Sequence, residues 1–308
     1  MEKYISELVD TIQYCKMTNT YNMSWCRSLI EWSVKNPNKN QVQFNDLSPM
    51  IFKYYWYQSI FFNLNQGSNP LEKPTIHQIV LTEIERYQNQ HGNKPEVFSR
   101  IQNKVEIDVE SINICLRRYV SKLFDKDQKF YQLSSDGFSL ELFHPELLVE
   151  YSDILFQLIN YRWTRELEKI NNSPRISKKV IDGYREDIKR TSGLYKKFGR
   201  FIEIENPQKK CFITGKIIQD GDLSIDHVIP WSYIYSDDLW NLVFVSKSEN
   251  SSKGNRIPSK KMIEKLEKRN KKLLTLLRDK NIQNNHSEEL EFSIKTDLIK
   301  ERWIGCKG

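Results

Sequence analysis

The sequence predicts an α+β protein that is predominantly helical: a helical N-terminal domain over residues 1–170 and a smaller mixed domain over 171–308. Three observations predict it. Apolar residues recur at helical spacing through most of the first 128 residues, as in Tyr4, Leu8 and Ile12, and again in Trp25, Leu29 and Trp32. From Lys210 to Val245 short β-branched runs beside glycines replace that periodicity. The charge also divides: residues 1–150 carry a net −2 and residues 151–308 a net +9, within a total of +7.

Each element follows from local signals. The segment 49–64 is apolar nearly all round and predicts a buried helix; its aromatics are read as core rather than as a platform for stacking bases. Gly, Asn and Pro mark loops at 66–74 and 89–95. Residues 130–142 alternate around Ser135-Asp136-Gly137 and predict a β-hairpin. A helix from His144 ends at Asn171–Pro174, and Ser173-Pro174 starts another through Val180, Ile181, Tyr184 and Ile188. A tight hairpin with a Gly turn is expected to run from Lys210 into Ile225-Asp226-His227. After a loop with Pro230, Trp231 and Ser232, Asn241 introduces a strand at Leu242–Val245, and a short helix holds Asn250. The helix 259–278 buries Met262, Ile263, Leu266, Leu273, Leu274 and Leu277 on one side and is basic on the other.

Composition narrows the function classes. Apolar residues at 39% and charged residues at 28% are the balance of a soluble globular protein. No apolar run approaches the roughly 20 residues that span a bilayer, so no membrane span is expected. The acidic start MEKYISELVD lacks an apolar signal core, and five scattered cysteines make no disulfide framework. Both point to the cytoplasm. Residues 253–280 hold 11 basic and 3 acidic residues, which is either a solvated lysine-rich helix or a surface for a phosphate backbone. Its position directly after the Asn250 helix favours nucleic acid.

The chemistry concentrates between Cys211 and Asn255. A hard divalent cation, Mg²⁺ or Mn²⁺, takes oxygen ligands and keeps several waters, and Asp226 and Asn250 each offer one oxygen. His227 has an ordinary pKa near ~6.5 and can take a proton from water at neutral pH. Neighbours on a flat strand face opposite ways, so the strand end must twist for Asp226 and His227 to share one target. Asn250 is also a residue type that caps helices, and Lys253 and Arg256 either hold the scissile strand of DNA or are plain surface charge. His77, His91, His144 and His286 lack partners at ligand spacing and are given no role.

These residues carry a resemblance. The stretch 210–256 resembles the HNH (His-Me finger) endonucleases of the ββα-metal fold. The resemblance implies that His227 activates water, that Asp226 and Asn250 bind the metal, and that Asn241 braces the loop that positions the histidine. The Asp-His…Asn…Asn version is similar to the HNH domain of CRISPR effector nucleases, and D-H-V-I-P-W-S…L-W-N-L-V to bacterial HNH proteins of restriction and phage-defence islands. The implied function is metal-dependent cleavage of DNA in bacterial defence. A catalytically silent nucleic-acid-binding subunit of a defence complex is the alternative. Many relatives carry two Cys-x-x-Cys pairs, whereas here Cys211 stands alone with Thr214 and Ser246 at partner positions, so no structural zinc is expected. The near-neutral first domain is expected to form a homodimer or to dock a partner such as an ATPase or sensor.

Overall fold

The computed structural model describes residues 2–69, 72–185, 188, 192–219 and 221–307. It is α+β and mostly helical, and the chain divides into two compact units. The first holds Met1–Asn171 and Ile176–Ile188; the second holds Asn172–Arg175 and Lys189–Gly308. No helix among the described residues is long and apolar enough to cross a membrane.

The first unit runs α1 (Glu2–Tyr14), α2 (Tyr21–Lys35), β1 (Gln41–Gln43), α3 (Phe44–Ile60), α4 (Thr75–His91) and the single turn α5 (Phe98–Ile101). Then come α6 (Val109–Cys115), a π-helical turn Leu116–Val120, α7 (Ser121–Phe124), β2 (Tyr131–Leu133), β3 (Ser139–Leu142), α8 (Pro145–Glu150), α9 (Ser152–Ile170) and α10 (Ile176–Arg185). The aromatic run forms the core: Phe52, Tyr55 and Trp56 on α3 are fully buried among α2, α4, α6 and α10. That helix begins at Phe44, five residues before the predicted start, and carries Pro49 inside it. The hairpin β2–β3 forms as expected, and β1 adds a third antiparallel strand through Val42↔Leu140. A three-residue strand with one buried side chain is too short to show in the sequence. The Trp25 indole donates to the Tyr131 hydroxyl at 3.1 Å, and that hydroxyl donates to the Ser121 carbonyl at 2.5 Å, tying α2, the sheet and α7 together. Helix α10 ends at Arg185 and Ile188 is not helical; the continuation at 186–187 and 189–191 lies outside the described residues.

The second unit contains α11 (Leu194–Glu205), β4 (Leu223–His227), α12 (Trp231–Ile234), β5 (Leu242–Ser246), α13 (Lys247–Lys253), α14 (Lys260–Asp279), α15 (Asn285–Lys295) and α16 (Leu298–Lys307). The expected tight hairpin is corrected here. Lys210 bridges Ile217 within its own knuckle around Gly215, whose φ of 73° suits glycine, so this stretch closes on itself. The partner of β4 is β5, antiparallel, with Asp226 opposite Val243 and His227 opposite Leu242. The loop 228–241 joins them. Ser246 and Ser259 cap α13 and α14 by accepting from the amides of Glu249 and Met262, each at 3.3 Å. The apolar stripe of α14 is buried as expected at Ile263, Leu266, Leu273, Leu274 and Leu277, with Met262 half-buried. Helices α15 and α16, not foreseen from the sequence, complete the core with Leu290, Ile299 and Trp303.

Candidate active site

Strand β4 ends in Asp226 and His227, and pleating sends them to different partners. Ser224 and Asp226 share the face covered by α13. There the Asn250 amide donates to the Ser224 hydroxyl at 3.0 Å, and the Lys253 ammonium donates to Asp226 Oδ2 at 2.8 Å. Asn250 and Lys253 are three residues apart on a helix and so point the same way. The Lys253 ammonium also reaches the main-chain carbonyl of His227 at 2.6 Å. The side chains of Lys253 and Asp226 are only 10% and 12% exposed. The His227 ring is buried, and its Nε2 lies 2.9 Å from Asp237 Oδ1 in the connecting loop.

The loop is fixed at several points. Asn241, fully buried, clasps Ile229: its Oδ1 accepts from the Ile229 amide and its Nδ2 donates to the Ile229 carbonyl, both at 2.8 Å. This holds the backbone two residues beyond His227, and the Asn241 side chain contacts that backbone rather than the imidazole. Arg269 of α14, buried, donates to the carbonyls of Leu239 and Leu242, and its guanidinium meets Glu205 at 3.2 Å. Burial lowers the Arg269 pKa, and Glu205 opposes that shift and keeps the cation paired. Asn270 donates to the Trp240 carbonyl at 2.8 Å.

The remaining candidates take other places. Arg256 is exposed and turns back onto the Ser252 carbonyl and hydroxyl at the end of α13, where a cation offsets the helix dipole. Lys253 lies inside the site on Asp226. Cys211 is buried in the core; burial raises its thiol pKa, but hydrogen bonds from Thr214 and the amides of Thr214, Ser246 and Ile213 outweigh that and lower it. The knuckle around it is held by Phe212 N–H to the Phe244 carbonyl at 2.8 Å and by Lys265 on the Phe212 carbonyl. His144 and His286 do meet nearby carboxylates, Glu146 at 3.0 Å in an exposed pair and Glu289 at 3.6 Å beside a half-buried ring that packs on Phe198 and Phe201.

Asp237, Arg269 and Asn270 are the site residues that the sequence reading missed. A signal for two of them exists: Arg269 and Asn270 stand three and four residues after Leu266, and so on the apolar stripe of α14 rather than its basic face. For Asp237 there is none, because nothing local says which of Asp237 and Asp238 turns inward.

Asp226 and the His227 carbonyl present hard oxygens to the Lys253 ammonium, and one turn back on the same helix the Asn250 amide lies on the Ser224 hydroxyl. Among the described residues no group of three or more His, Cys, Asp or Glu side chains could hold a metal ion. A single carboxylate with neutral oxygens is what Mg²⁺ uses when waters and substrate phosphates complete its shell. The chemistry of these donors, one carboxylate with neutral oxygens beside it, suits a hard divalent cation. No curated protein matches the chain. Residues 211–259 match the family model of the HNH endonucleases, and Asp226, His227, Asn241 and Asn250 all lie within the matched stretch.

Proposed function

We propose that the chain is a metal-dependent DNA endonuclease whose catalytic residue is His227, with Asp226 and Asn250 holding Mg²⁺ or Mn²⁺. The observation that carries this is the Lys253 ammonium between the Asp226 carboxylate and the main-chain carbonyl of His227, a cation position at the end of β4. In the hydrolysis, His227 takes a proton from water as the water oxygen bonds to phosphorus. The bond from phosphorus to the 3′ oxygen breaks, and the products are a 5′-phosphate and a 3′-hydroxyl once that oxygen is protonated. The bound cation supplies Lewis-acid stabilisation of the charge on the phosphate and the leaving oxygen. Asn241 keeps the loop in place during this step by its hold on Ile229.

DNA is held by positive charge. Lys260, Lys261, Lys268 and Lys271 are exposed along α14 and give the phosphate backbone a sequence-independent hold. Lys265 and Lys272 also serve the fold, on the carbonyls of Phe212 and Glu205. The resemblance to restriction and phage-defence proteins supports work in bacterial defence, in the cytoplasm. Exposed Tyr119, Leu123, Ile154 and Tyr161 in the first unit support its use as the surface for a homodimer or for a partner such as an ATPase or sensor. A catalytically silent binding subunit is not favoured, because Asp226, His227 and Asn250 are all present.

Supercoiled plasmid is the direct test. Wild type is expected to relax or linearise it with Mg²⁺ or Mn²⁺ and to leave it intact in EDTA, and His227→Ala is expected to lose at least about 10²-fold in rate. Undiminished cutting by His227→Ala removes this residue from the mechanism.

A further inference from the structure

We infer that Asp237 is the positioning residue for His227: its carboxylate fixes the imidazole in the tautomer that carries hydrogen on Nε2, which leaves Nδ1 to accept the proton from water. This rests on the reading of His227 as the general base. An ionised carboxylate only accepts hydrogen bonds, so a neutral ring whose Nε2 lies 2.9 Å from Asp237 Oδ1 must donate from Nε2. Its one remaining lone pair is then on Nδ1. Both side chains are shielded from competing water, at 6% and 10% exposure.

The backbone around Asp237 is held as a positioning role requires. Tyr235 closes α12 with φ of 57° and packs its ring on Trp231, with centroids 4.6 Å apart. Ser236 donates to Asp238 at 2.5 Å, Arg269 holds the Leu239 carbonyl, and Asn241 closes the loop onto Ile229. Asp237 therefore sits in a segment anchored on both sides. The two carboxylates of the site have separate work: Asp226 faces the Lys253 cation, and Asp237 faces the ring. An acid that orients an imidazole in this way is the arrangement by which a histidine base keeps one tautomer, and the Asp-to-Asn change in a serine-protease triad costs about 10⁴-fold through the wrong tautomer.

The test uses the full chain in two readouts. The first is the long-range proton–nitrogen NMR spectrum of metal-free, ¹⁵N-labelled protein, recorded at about pH 8. The His227 signals are those lost in His227→Ala. Wild type and Asp237→Glu are expected to show hydrogen on Nε2, and Asp237→Asn, whose amide can donate to Nε2, is expected to move it to Nδ1. The second is plasmid cleavage with Mg²⁺. Asp237→Asn is expected to lose about 10²-fold or more in kcat with KM within about 3-fold, and Asp237→Glu to recover part of the loss. An unchanged tautomer in Asp237→Asn, or a kcat within about 3-fold of wild type, overturns the assignment. Wild type that cuts nothing while the ring signals shift as expected counts against the nuclease reading and for the contact with Asp237.

Discussion

His77 shows how strongly a single buried side chain is governed by its surroundings. Its Nε2 meets the Ser59 hydroxyl at 3.2 Å, its Nδ1 is buried without a partner, and burial, helped by Lys73, pushes its pKa down to about 4. The unfolded chain takes up this proton near pH ~6.5 and the folded protein refuses it until about pH 4. The stability that depends on a neutral ring is therefore complete above pH ~6.5 and is lost as pH falls toward 4, by on the order of 3 kcal/mol. His77→Gln is expected to flatten the pH dependence of urea denaturation in that window; an unchanged slope contradicts the account. At the same scale the motif residues were legible: Asp226, His227, Asn241 and Asn250 stand at fixed intervals whose chemistry names itself. What Lys253 and Asp237 touch was not legible, because both contacts join residues that only the folded hairpin brings together.

At the scale of elements, the hairpin and α14 make the site. The sequence signals located β4, β5 and α13, but not that β4 pairs with β5 across the loop 228–241, because pairing is a long-range property while strand propensity is local. Helix α14 was legible as amphipathic, and its buried arginine was read as part of a basic face. In the folded protein Arg269 fastens α14 to both ends of the segment that contains Asn241, through the carbonyls of Leu239 and Leu242. Removing one partner of a buried, hydrogen-bonded ion pair leaves Glu205 and these carbonyls without their donor. Arg269→Ala is expected to cost about 3–5 kcal/mol in urea denaturation and to slow cleavage as the loop loosens. A loss below about 1 kcal/mol places the anchoring of the loop elsewhere.

For the whole molecule, the distribution of charge and the two compact units agree in separating an almost neutral helical body from a basic one that contains the HNH family match. The family match spans 211–259 and so speaks for the centre of the second unit alone. The aromatic core of the first unit was legible because an all-round apolar helix has to be buried; its partner surface has no motif and stays a matter of proposal. The account as a whole turns on a cation held by Asp226 and Asn250 where Lys253 now stands, and binding of Mn²⁺ to the full chain, followed by electron paramagnetic resonance, measures that directly. Wild type is expected to bind Mn²⁺ beside His227, Asp226→Asn and Asn250→Ala to bind at least about 10-fold more weakly, and Lys253→Met to bind more tightly because no ammonium has to leave. Affinity that does not change in Asp226→Asn would contradict it.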